Sequence, residues 1–147
     1  MRTMKIIGIC MVLCFLQNCG TDRIDIIRRA YRLENGTSSE IKIEFYRYGI
    51  FKHTQHIIGE GLIFEGSMDN DGGAHLSAGG ALGADSIIVV FDNQKKQIYY
   101  HGDIVVTATP PTDRNVLLNE AYEIINDELY RFTFTEADYE NAEEIGG

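Results

Sequence analysis

The chain has no tryptophan, only two prolines, and three cysteines that all fall within its first 19 residues. Beyond Cys19 no thiol remains, so a cysteine scaffold is excluded and the fold must be held by packing alone. The absence of tryptophan removes the strongest stacking residue and leaves that role to eight tyrosines and seven phenylalanines. Bases are scarce as well. There are 22 acids against 13 bases, and two of those bases, Arg2 and Lys5, precede the first apolar run, so the remainder carries a net charge of −11. Such a field repels phosphate backbones, and nucleic acid is not an expected partner. Long helical periodicities are also missing.

Charge is absent from Ile6 to Leu16 (IIGICMVLCFL), just after Arg2 and Lys5. That run falls short of the roughly 20 residues a spanning helix takes, but it suits the apolar region of an export signal. Leu16-Gln17-Asn18-Cys19 then places a leucine three positions before a cysteine, the frame of a lipoprotein signal. Cys10 and Cys14 sit inside the apolar run, where a cut would leave too little of it behind. The expected organisation is a signal peptide at residues 1–18, a lipidated tether at 19–25 and one domain at 26–147. An ordinary secretory signal or an uncleaved anchor is the alternative, and either still exports the domain. Acylation of the Cys19 sulfur, and after cleavage of its new amino group, would hold the chain at a membrane. One acyl chain anchors marginally, whereas two or more hold firmly. Gly20 carries no charge to mark inner-membrane retention, so the outer membrane is expected. Asp22 and Asp25, split by Arg23, make a weak surface-export tag, and the leaflet stays open. Arg23, Arg28, Arg29 and Arg32 follow the anchor, whereas residues 117–147 hold nine acids and one base, Arg131. A basic stretch beside anionic head groups could add to anchoring, within the limits of salt screening.

The exported part reads as strands. Glu40 to Tyr48 (EIKIEFYRY) places Ile41, Ile43 and Phe45 on one face and Lys42, Glu44 and Tyr46 on the other, the alternation of a half-buried strand. Ser86 to Phe91 (SIIVVF) is apolar on both faces and predicts a central strand covered on both sides. Asp92-Asn93-Gln94-Lys95 supplies turn formers, so residues 85–101 read as a hairpin. Further runs lie at Ile27–Leu33, Ile57–Glu65, Ile104–Thr109 and Leu129–Thr135. Thr135 followed by Glu136 and Asp138 predicts a capped short helix to about Glu143. Ser67 to Gly83 holds five glycines without periodicity and reads as a mobile loop, and Val116–Ile125 carries no clear pattern. Together these predict an all-β domain, a small sandwich or barrel, with one short C-terminal helix.

Arg114-Asn115-Val116-Leu117-Leu118-Asn119, Ala121-Tyr122-Glu123 and Tyr130 through Tyr139 to Ala142 resemble the ending of small predicted lipoproteins of unknown function from the Bacteroidota. The early Tyr31-Arg32-Leu33-Glu34-Asn35-Gly36-Thr37 and the middle Asp85 to Asp92 are similar to that group too, and Leu16 to Cys19 resembles its relaxed signal boxes. The resemblance covers most of the exported part and implies an envelope location and a β fold. It brings no catalytic residue.

Chemical motifs are few. Asp69-Asn70-Asp71-Gly72 offers oxygens for a hard cation, but placing Gly72 at the sixth position of a helix-flanked calcium loop puts Ala78 where a carboxylate should stand. Asp69 and Asp71, with Glu65, remain the candidates for a looser site. His53 and His56 are three apart, which on a strand sends them to opposite faces and argues against zinc. His75 and His101 read as loop and hairpin-end residues. Ser77 and Ser86 lack the G-x-S-x-G elbow of an exposed nucleophile. The glycine-rich stretch lacks the Lys-Ser/Thr ending of a phosphate cradle, and no cofactor is expected. Asp85-Ser86-Ile87 is similar to the acidic-hydroxyl-apolar pattern used for O-glycosylation in the Bacteroidota, and a strand start explains it equally well.

Tyr46, Tyr48 and Tyr100 are the aromatics expected to face outward and the candidate binding residues. The leading expectation is a non-enzymatic, lipid-anchored envelope domain with a structural or interaction role, partnered by the membrane and an envelope protein or glycan. A glycan-binding accessory lipoprotein would show an exposed aromatic patch including Tyr46 or Tyr48. A hydrolase would show a concave site joining Ser77 or a carboxylate pair to a histidine.

Overall fold

A computed structural model describes residues 27–68, 77–101 and 114–146. The signal, Cys19, the tether, the expected strand at Ile104–Thr109, and Asp69, Asp71 and His75 lie outside the described residues. Nine strands and two short helices are described, in the order β1 (Ile27–Asn35), β2 (Ile41–Arg47), β3 (Ile50–Ile57), β4 (Leu62–Met68), α1 (Ala78–Leu82), β5 (Ser86–Phe91), β6 (Lys95–Tyr100), β7 (Glu123–Ile124), β8 (Leu129–Phe134), α2 (Glu136–Asn141) and β9 (Glu143–Glu144). They form a four-stranded sheet, β4-β1-β8-β7, and a five-stranded sheet, β3-β2-β5-β6-β9. All pairings are antiparallel except β1 with β8.

Alternation decides which face of each strand is buried. Tyr31 and Leu33 of β1, Phe132 and Phe134 of β8, Ile41, Ile43 and Phe45 of β2, and Ile87, Val89 and Phe91 of β5 are fully or almost fully buried. The two sheets meet through rings: Phe45 contacts Phe64 at 5.5 Å between centroids, and Phe91 meets Phe134 edge-on at 6.3 Å. Each such side chain contributes about 1.5–3 kcal/mol by leaving water, and an aromatic pair adds ~0.5–1.5 kcal/mol. The result is an all-β, sandwich-like domain.

Of the short helices, α1 packs against β4 and β1, and α2 against β6. α2 starts as its sequence predicts: the Thr135 N–H and hydroxyl both donate to Asp138 Oδ2, at 2.7 and 2.9 Å. Arg114 holds the same buried carboxylate through two hydrogen bonds of 3.0 and 2.7 Å. The helix ends at Asn141 rather than near Glu143, because the backbone turns extended at Ala142 and Glu143–Glu144 pairs with β6.

Three other expectations change. The run Ile57–Glu65 is not one strand: Ile57 closes β3 in one sheet and Leu62 opens β4 in the other. The chain crosses between sheets at Gly59 (φ 65°) and Gly61 (φ 92°), and a Cβ on Gly61 would run into the Leu33 carbonyl. Ser67–Gly83 is not one loop, since β4 extends to Met68 and Ala78–Leu82 is helical. The Ser77 hydroxyl accepts the Gly80 N–H at 3.1 Å, and Gly83 (φ 65°) takes the left-handed position that ends the helix. β5 is central as expected but not covered on both sides. Its inner face is buried, whereas Ser86 and Ile88 are half-buried and only Val90 on the outer face is buried. Lys42 and Lys96 flank Val90 in register, where lysine stems can shield it without a further layer.

Candidate functional site

Register assembles a site on the outer face of the five-stranded sheet. Tyr46 of β2 lies opposite Ser86 of β5, Ser86 opposite Tyr100 of β6, and Tyr46 opposite Phe51 of β3. Alternation turns all four outward, since their strand neighbours Phe45, Ile87 and Tyr99 are buried. Phe51-Tyr46-Ser86-Tyr100 is therefore one lateral row, with Ile88 and Ile98 in the next row along β5 and β6. Two strand spacings separate Tyr46 from Tyr100, roughly 10 Å. Phe51 meets the Tyr46 ring edge-on at 5.7 Å and is 52% exposed. The Tyr46 hydroxyl donates to Glu44 Oε2 at 3.1 Å. Desolvation, then that carboxylate, raises its pKa above the ordinary tyrosine value, so the ring presents a neutral hydroxyl.

Tyr48 stands at the tip of the β2–β3 hairpin. It and Gly49 have φ of 53° and 71°, the paired positive values of a two-residue turn that follows strand twist. For a tyrosine this conformation is costly, and such outliers persist where surrounding structure holds them. Here the Asp85 carboxylate accepts the Tyr48 N–H at 2.6 Å. The ring is 81% exposed, with the Arg47 guanidinium 5.5 Å from its centroid.

Beside this hairpin is a cleft of about 170 Å³ where Arg47, Tyr48, Ser77, Asp85 and His101 come together over Gly79 and Gly80. It joins a serine, a histidine and a carboxylate, yet the serine and the carboxylate have contacts that serve the fold. Ser77 caps α1, and Asp85 accepts the Tyr48 N–H and, at 3.3 Å, the Ser86 hydroxyl. Among the described residues, no hydrogen bond links the side chains of Ser77, His101 and Asp85. Ser86 itself is half-buried at the start of β5. A second groove of about 560 Å³ is lined by Arg28, Arg29, Glu65 and Glu128, with both signs of charge.

His53 and His56 fall on opposite faces, His53 opposite and stacked on inward Phe45 (4.5 Å), His56 opposite outward Lys42 and 3.1 Å from Glu40. No group of three or more metal-ligating side chains occurs among the described residues. Phe51 and Arg47 were not legible as site residues. The dipeptide Tyr48-Gly49 between Arg47 and Ile50 was the available signal of a tight turn. Fold and site thus define an all-β domain with one aromatic outer face. No protein-family model, curated protein or solved structure matches this chain.

Proposed function

We propose that this chain is a lipid-anchored domain of the cell envelope, with the outer membrane favoured, that works by binding rather than by catalysis. The address rests on the Leu16-Gln17-Asn18-Cys19 box. The observation that supports binding is the outward row of Phe51, Tyr46 and Tyr100, continued at the hairpin tip by Tyr48. Aromatic residues with polar ends are suited to interfaces, because they bury much area while the hydroxyl keeps a partner. The cleft beside the row supports catalysis less well, because Ser77 and Asp85 are engaged in capping and turn contacts.

Cys19→Ala tests the address: membrane fractionation with fatty-acid labelling should show loss of label and release of the chain. Retention of the labelled chain at the membrane would refute it. A second reading is a glycan-binding accessory, favoured by the ~10 Å separation of Tyr46 and Tyr100, with Asp85 and Arg47 close by to meet hydroxyls. A glycan array should then show binding that Tyr46→Ala abolishes, and a blank array would refute that ligand class.

A further inference from the structure

Three of the four sheet edges, β9, β7 and β3, are finished in different ways. In the five-stranded sheet one edge is β9, two residues long and made of Glu143 and Glu144, and in the four-stranded sheet one edge is β7, two residues long and opened by Glu123. Short, charged edges of this kind resist pairing with other chains. β3 is the opposite case. It is eight residues long, pairs only with β2 among the described residues, and leaves Ile50, Phe51, Lys52, His53 and Thr54 exposed. It contains no acid in an acidic protein, and carries Lys52, His53 and His56. A register shift places Phe45 opposite His53 and Tyr46 opposite Phe51, so Lys52 is the extra residue of a bulge. A bulge with a lysine limits indiscriminate stacking and leaves His53–Ile57 as the regular stretch open to a further strand.

We propose that β3 is a docking edge that takes an extended acidic peptide segment as an added strand. Backbone hydrogen bonds along His53–Ile57 would supply affinity, and the exposed Lys52 would select acidic side chains, since His53 is stacked on Phe45 and His56 already meets Glu40. A second copy fits less well, because two β3 edges would face each other with the same basic residues on two acidic domains. The inference rests on the domain being a binding module and names a partner for it.

The test uses the full chain in detergent and two labelled probes of about eight residues, one alternating glutamate with threonine, the other lysine with threonine. Fluorescence polarisation should show the acidic probe binding about tenfold tighter or more, with a gap that narrows at high salt. Hydrogen exchange should slow at His53–Ile57 in the bound state. Lys52→Glu should weaken the acidic probe several-fold while Lys52→Arg retains it. Equal affinity for the two probes, or dimerisation that protects β3 without peptide, would overturn the proposal. Protection confined to β5 and β6 would overturn the edge while leaving the aromatic face as a binding surface.

Discussion

The two outer faces of this sandwich are built on the same alternation and finished in opposite ways. On the four-stranded sheet the outward positions of β1 and β8 form a charged lattice: Arg131 reaches Glu123 at 2.6 Å and Glu34 at 3.9 Å, and Arg32 reaches Glu34 at 3.6 Å. Hydrogen bonding to Glu123 raises the Arg131 pKa further, so the guanidinium stays charged throughout. On the five-stranded sheet the corresponding positions are Phe51, Tyr46, Ile88, Ile98 and Tyr100, with the Lys42–Glu44 pair (3.0 Å) among them. Exposed ion pairs contribute little to stability, so the lattice marks a water-facing surface. The aromatic row, with Phe51 52% exposed, is the surface on which the proposed binding role rests.

The comparison breaks first if the inner faces differ in weight. Phe45→Ala on the five-stranded sheet and Phe132→Ala on the four-stranded one should each cost about 3–5 kcal/mol in denaturant unfolding. Both are essentially unexposed, and a loss confined to one would mean that only one sheet carries the core. Asp138→Ala comes next. It removes the buried acceptor of Arg114 and of the Thr135 N–H, and should cost roughly 2–3 kcal/mol, discounted because Arg114 is partly exposed. Asp138→Asn should recover part of that loss.

Alkaline titration sharpens the contrast between inner and outer tyrosines. Burial raises the pKa of Tyr99 and Tyr122 far above 10, and their hydroxyls donate to Gln97 Oε1 and the Val116 carbonyl. A raised native pKa leaves stability intact below the unfolded value and removes it as pH climbs above ~10, where the unfolded chain releases protons that the native one retains. Absorbance of ionised tyrosine should therefore include a late component, from Tyr99 and Tyr122, that appears only with unfolding. A single phase at pH ~10 with the fold intact would contradict the burial.

How far the sequence carried these features depends on whether they are local. Alternation in β2, the turn formers at Asp92-Asn93 and the Thr135–Asp138 cap lie within a few residues, and all were readable. β3 was not, because its side chains are exposed on both faces and no period-2 signal survives. α1 was hidden among glycines, although Ser77 and Gly83 are cap residues in hindsight. The break at Gly61 depends on the Leu33 carbonyl, far away in sequence. At the candidate site, Tyr46, Tyr48 and Tyr100 were readable as outward aromatics. Their lineup with Phe51, and the meeting of Ser77 with His101, come from strand register, which no short window contains.

The smallest effects on stability fall on the outer faces and bear most on function. Arg131→Gln should leave the melting temperature and ligand capture unchanged. Tyr46→Ala or Tyr100→Ala should cost ~1 kcal/mol or less in stability. The decisive measurement is a paired comparison on one panel of glycans and acidic peptides, with Tyr46→Ala/Tyr100→Ala beside Arg32→Ala/Arg131→Ala, both checked for folding by circular dichroism. The aromatic pair should lose capture of at least one ligand class while the charged pair matches the unaltered chain. Equal behaviour of the two folded variants, or loss only with the arginines, would contradict the assignment of binding to the five-stranded face.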